Sequence, residues 1–328
     1  MSYLFRRRDF ITTQSFEKEE IDIMLDLARE LKIKFAHDEP TPWLLYKTLF
    51  MLFFDASTRT RNSIEAGITQ LGGHAHFLAP DTMQLSHGET ATDTAKVLSR
   101  FGHAIAIRAC EFGSGNAHMN AVADAADVPV LNLQDDVYHP MQVLADLMTI
   151  EERFGRDVRD LKVGISWAYA DTHLKPLSVP QSQILLFTRY GMDITLAYPE
   201  GFDLMPQIME TARENASIHE GKLTVSHNME DAFVDADVII AKNWGGFHAA
   251  DTEEGISQAM TRHKGWICDE EKMSLARKRS IYMHALPADR GKEVSDSVLD
   301  GPHSVVYDEA ANRLHTAKAV MALTMGGR

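Results

Sequence analysis

Apolar residues in this chain follow two rhythms that alternate along its length. Between Phe16 and Lys34, residues Ile21, Met24, Leu25, Ala28 and Leu31 recur at helical spacing, which predicts an amphipathic helix. From residue 48 onward, short continuous apolar runs predict strands at 48–54, 74–78, 104–108, 130–133, 162–166, 193–197, 223–226, 238–241 and 280–284. The intervening segments at 63–71, 90–101, 141–154, 181–190, 204–217, 229–234 and 312–325 return to helical spacing. Such alternation predicts an α/β fold of parallel sheets flanked by helices. The divide between two domains is expected inside or just after the 141–154 helix, where a second run of strand–helix units begins.

In open α/β sheets, ligands bind beyond the carboxyl ends of the strands. Here the predicted strand ends lead into Ser57-Thr58-Arg59-Thr60-Arg61, Arg108, His139-Pro140-Met141-Gln142 and His284-Ala285-Leu286-Pro287. Ser57 and Thr58 stand where a helix N-cap is expected. Arg59 and Arg61 then fall in the first helical turn, the wrong sign for a dipole that favours anions there by about 0.3–1 kcal/mol. Two cations beside open backbone N–H groups predict a bound anion, most simply a phosphate. The alternative is a helix start whose arginines point into solvent. No Gly-Lys-Ser/Thr follows, and no strand-linked Gly-x-Gly-x-x-Gly occurs, so neither a nucleoside triphosphate nor a dinucleotide is implied. His139 and Gln142 are three residues apart and share one side of a first turn; His139 is either a site residue or a surface cap.

Composition narrows this picture. The 328 residues are enough for two domains, and at 45% hydrophobic the chain can build sizeable cores. The net charge, 33 − 47 = −14, disfavours nucleic acid and anionic membrane surfaces. A concentrated basic motif in an acidic chain points to a small local anion. Cys110 and Cys268 show no metal-ligand spacing, and reduced thiols in a cytoplasmic protein are the expectation. The histidines are scattered, so no metal is expected. No apolar run reaches the ~20 residues of a membrane helix, and no apolar stretch follows Arg6-Arg7-Arg8-Asp9-Phe10 to make an export signal.

With Asn312-Arg313-Leu314-His315 added, the ordered set of motifs resembles the aspartate/ornithine carbamoyltransferase superfamily across essentially the whole chain. Trp167-Ala168-Tyr169, Lys175-Pro176-Leu177-Ser178-Val179-Pro180 and Lys242-Asn243-Trp244-Gly245 are similar to the knotted branch of that superfamily. That branch includes N-acetylornithine and N-succinylornithine carbamoyltransferases and the group called YgeW. The resemblance implies a carbamoyl-phosphate domain at 1–150, rejoined by the helix 312–328, and a knotted second-substrate domain at 151–311.

It also implies roles. Ser57, Thr58, Arg59, Thr60 and Arg313 would hold the phosphate of carbamoyl phosphate. Thr60, Arg108 and His139 would polarise its carbamoyl oxygen, and Gln142 would accept from its NH2 group. Lys242, Trp244, Leu286 and Lys292 would serve the second substrate, with Trp244 read equally as a pocket wall or as packing. Gln84 and His87 match a loop that reaches a neighbouring subunit's site, which implies a homotrimer with shared sites. No organic cofactor is needed. Ala285 stands where the family commonly has Cys, and 168–174 lacks the paired asparagines of ornithine enzymes, so the expected amine is carboxylate-bearing but not free ornithine. The same site could run in reverse on a ureido compound, or bind carbamoyl phosphate without turning it over.

Overall fold

The computed structural model describes residues 4–84 and 88–326. It divides into two compact units: Met1–Ala145 with Ala311–Arg328, and Asp146–Ala310.

In the first unit, α1 (Lys18–Ala36) buries Ile21, Met24, Leu25, Leu27, Ala28 and Leu31, the stripe its spacing predicts. Four parallel strands follow with their helices: β1 (Thr48–Phe53), α2 (Thr58–Gln70), β2 (His74–Leu78), α3 (Ala91–Phe101), β3 (Ala104–Ala109), α4 (Gly115–Ala125), β4 (Val130–Asp135) and the start of α5 (Pro140–Phe154), which continues into the second unit. The sheet order is β2-β1-β3-β4. The near-continuous burial of β1, β3 and β4 reflects a sheet covered on both faces. The chain steps from β1 outward to β2, then returns to the other side of β1 for β3. That reversal makes the carboxyl ends of β1 and β3 the switch point where a ligand crevice opens.

The second unit repeats the plan with β5 (Lys162–Trp167), α6 (Ser178–Arg189), β6 (Asp193–Ala197), α7 (Pro206–Ile218), β7 (Lys222–Ser226), β8 (Val238–Lys242), α8 (Glu253–Thr261), the one-turn α9 (Glu270–Met273), β9 (Ile281–Met283) and α10 (Asp296–Leu299). Its parallel sheet runs β7-β6-β5-β8-β9, with the switch between β5 and β8. The final helix, α11 (Val306–Thr324), begins in this unit and ends in the first.

All nine expected strands form. The helices differ more. α2 begins at Thr58, directly after Ser57, where the N-cap is expected, and so extends the helical spacing read at 63–71 by five residues. α6 begins at Ser178 because Pro180 is tolerated in a first turn, and all twelve of its residues are buried, which erases any amphipathic signal. Residues Met229–Ala232 make one 3-10 turn rather than an α-helix. The α4 and α8 helices were not anticipated.

Candidate active site

The first unit gathers its chemistry at the carboxyl ends of β1, β3 and β4. Ser57 has extended backbone angles, and its Oγ accepts from Thr60 N at 3.3 Å, so it is the N-cap of α2. No acidic residue stands in that first turn. Phe54 N donates to Arg108 O at 2.9 Å, and Cys110 N donates to the Asp55 carboxylate at 2.7 Å, which ties the β1 end to the β3 end. A register shift between Ile107 and Arg108 sets Arg108 opposite Gln134 of β4; such a bulge re-aims a side chain. One guanidinium nitrogen of Arg108 donates to Gln134 Oε1. Sequence reasoning missed Gln134, because a lone Gln at a strand end carries no periodic signal.

Arg313, from α11, joins residues far apart in sequence. It donates to Gln142 Oε1 at 2.9 Å and to Thr60 Oγ1 at 2.8 Å, and all three side chains are buried. His139 is buried just before α5, with its carbonyl accepting from Gln142 N at 3.1 Å. The loop carrying it is held by two acids that the sequence did not single out. Asp136 accepts from Gly113 N and Asn116 N, each at 2.7 Å. Asp135 accepts from Asn116 Nδ2, Asn132 Nδ2 and Val137 N, each at 2.8 Å, and from Tyr138 N. Gly115 permits this packing, since a Cβ there would sit 2.1 Å from Ala109 O.

The electrostatics at this edge are unbalanced. Burial and the nearby Arg108 both hold the Arg59 guanidinium below its ordinary pKa. The Nε groups of Arg59 and Arg108 are buried without an acceptor among the described residues. A buried unmade hydrogen bond costs about 1–3 kcal/mol, more for a charged group, so both guanidinium groups have a donor free for an acceptor. Burial pushes the Cys110 thiol up to about 12, the opposite direction from an activated thiolate. An open cleft of about 520 Å³ adjoins the α2 start, walled by Phe54, Ser57, Thr58, Arg61, Phe77 and Pro80. Arg61 stacks over the Phe77 ring at 3.7 Å and pairs with Glu65 at 3.2 Å. Gln84 is exposed, and His87 lies outside the described residues.

The second unit places Lys242 at the end of β8, donating to Asn243 O at 3.1 Å. Leu286 follows β9 with φ 53°, a left-handed conformation uncommon for leucine. Its N–H donates to His284 Nδ1 at 2.8 Å, which leaves the His284 proton on Nε2. Trp244 is fully buried, with its indole N–H donating to Phe202 O at 2.9 Å. Lys292 is ion-paired with Asp171, and that bond raises its pKa. Among the described residues no three His, Cys, Asp or Glu side chains gather as metal ligands would, and no helix is long and apolar enough to cross a membrane.

Residues 8–152 match the aspartate/ornithine carbamoyltransferase carbamoyl-P binding domain, and residues 175–324 match the Asp/Orn binding domain of the same family. The chain therefore belongs to the aspartate/ornithine carbamoyltransferase family, and it is a carbamoyltransferase. It is 40% identical to an ornithine carbamoyltransferase of Halalkalibacterium halodurans, over 98% of this chain and 96% of that protein. It is 36% identical to the putative carbamoyltransferase YgeW of Escherichia coli K12, over 93% of this chain and 86% of that one. An acetylornithine transcarbamylase structure in complex with acetylcitrulline superposes with a TM-score of 0.87 at 33% identity, covering 96% of this chain and 98% of that one. These relatives carry different substrate names, so the comparison establishes the chemistry but not the amine.

Proposed function

We propose that this enzyme moves a carbamoyl group between carbamoyl phosphate and the amine of a small carboxylate-bearing molecule other than free ornithine. The observation that carries the reading is the Arg59–Arg108 pair, two half-buried cations with unsatisfied Nε groups beside the capped start of α2. A phosphate supplies the charge and acceptors they lack. In this reading Ser57, Thr58, Arg59, Thr60 and Arg313 hold the phosphate. Thr60, Arg108 and His139 donate to the carbamoyl oxygen, and Gln142 accepts from the carbamoyl NH2. A neutral amine attacks the carbonyl carbon, negative charge builds on that oxygen, and phosphate departs with the electron pair of the broken C–O bond and takes the proton that the amine nitrogen sheds. Fixed donors to such an oxygen are worth about 2.7–4 kcal/mol each. Holding both reactants in place contributes roughly 7–11 kcal/mol more.

The first unit is thus assigned carbamoyl phosphate, and the second the amine, with Lys242 as receptor for its carboxylate and Leu286 and Lys292 near it. Support for an acceptor other than ornithine comes from Ala285 in place of the usual Cys and from the absence of paired asparagines in 168–174. The knotted-branch motifs around Trp167 and Lys175 point the same way. A cytoplasmic homotrimer, with Gln84 and His87 reaching a neighbour's site, completes the proposal. The test is an incubation with carbamoyl phosphate and a panel of amines that includes N-acylated ornithines, followed by a mass search for one added carbamoyl group. A product lost in Arg59→Ala supports the reading. Efficient turnover of free ornithine would overturn the acceptor assignment.

A further inference from the structure

The second unit contains a carboxylate that no motif pointed to. Glu293 is fully buried and receives donors from separate segments on both oxygens. Asn243 N reaches Oε1 at 2.6 Å, and His284 Nε2 approaches the same oxygen at 3.5 Å. Asp289 N reaches Oε2 at 2.7 Å, and Lys175 Nζ reaches it at 2.9 Å. Lys175 also pairs with Asp289 at 2.9 Å, and its carbonyl accepts from Gly245 N at 2.8 Å. Asn243 passes the restraint on, because its Nδ2 donates to Ala168 O at 2.6 Å, just beyond β5. One carboxylate therefore anchors the chain beyond β8 and β9 directly, and beyond β5 through Asn243. Those are adjacent strands at the switch point of this sheet.

We infer that Glu293 is a positioning residue for the amine half of the reaction, holding the Lys242–Asn243 and His284–Asp289 segments in register with each other. The inference rests on the reading that this unit receives the amine. Glu293 itself is enclosed and cannot touch substrate. It acts by fixing the backbone that carries Lys242 and Leu286. A glutamine in its place keeps the shape but turns an NH2 group towards donors, so at least one of the restraints is lost.

The experiment is Glu293→Gln in the full-length enzyme, read in two ways. Hydrogen exchange of 242–246 and 284–290 is expected to accelerate, while the rest of the unit keeps its protection. In steady-state kinetics with the acceptor found by the panel, the amine KM is expected to rise about 10- to 100-fold, with the carbamoyl phosphate KM unchanged. Unchanged exchange in both segments, or equal changes in both KM values, would overturn the inference. If the wild type transfers no carbamoyl group, the functional reading fails, and the exchange experiment still decides whether Glu293 holds these segments. Should Glu293→Gln not fold, Lys175→Met removes one donor and leaves the carboxylate. A smaller rise confined to the amine KM is then expected, and an unchanged amine KM overturns the inference.

Discussion

At the carboxyl edge of β1, β3 and β4, the half-buried Arg59 and Arg108 stand close together with hydrogen-bonding capacity to spare. At the corresponding edge of β5, β8 and β9, Lys175 is matched by Glu293 and Asp289, and Lys292 by Asp171. Buried carboxylates show the same contrast. Burial pushes Asp135 up to about 6 despite hydrogen bonds from Asn116, Tyr138 and Val137, and Asp136 adds repulsion. Burial would raise Glu293 too, but His284, Lys242 and Lys175 outweigh it and hold that carboxyl well below its ordinary range. The first edge keeps two neighbouring cations whose Nε donors have no acceptor among the described residues. The second uses its charges on itself, to fix the shape of loops.

Breaking the first edge has the largest expected effect. Arg59→Ala should lower kcat/KM for carbamoyl phosphate by about 100- to 1000-fold, the scale for a lost charge-assisted donor, in steady-state assays. Near-normal saturation by carbamoyl phosphate would remove Arg59 from the anion site.

The two carboxylates should answer pH with opposite sign. For Asp135 the folded pKa lies above the unfolded value, so the folded state holds the extra proton between about pH 4 and pH 6. Its contribution to stability is present at the acid end and lost as pH rises through about 6, an effect of about 2–3 kcal/mol. Urea midpoints at pH 4 and pH 6 should reveal it, and Asp135→Asn should flatten that part of the profile. For Glu293 the folded pKa is depressed, so its contribution is present above the ordinary glutamate range and lost as pH falls below it. Wild type should therefore lose more of its urea resistance on acidification than Glu293→Gln. Parallel profiles would contradict the contrast.

The smallest effect sharpens the second edge. Lys242→Ala should raise the amine KM about tenfold, near 1.4 kcal/mol, and leave the carbamoyl phosphate KM unchanged. A shift in the carbamoyl phosphate KM would move Lys242 out of the amine half.

Strands were legible because both faces of a parallel sheet are covered, so runs such as 49–53 in β1 are apolar without interruption. Helices were less so. α4, with the sequence GNAHMNAVADA, buries only Gly115, Met119 and Val122, too few for a clear stripe, and α6 has no exposed face at all. At the candidate site, residues beside a strand end or helix start could be read directly: Ser57, Arg59, Arg108, His139 and Gln142. Gln134, Asp135 and Glu293 could not, because their importance lies in hydrogen bonds to groups brought close by the fold.

The sequence by itself determined the α/β alternation, the strand ends and the cationic helix start, all of which depend on neighbours along the chain. Only the tertiary structure decided that Arg313 would bridge Thr60 and Gln142, that a bulge would aim Arg108 at Gln134, and that Glu293 would collect donors from separate segments. Those outcomes depend on sheet order and register, which place residues far apart in the chain within a hydrogen bond of one another.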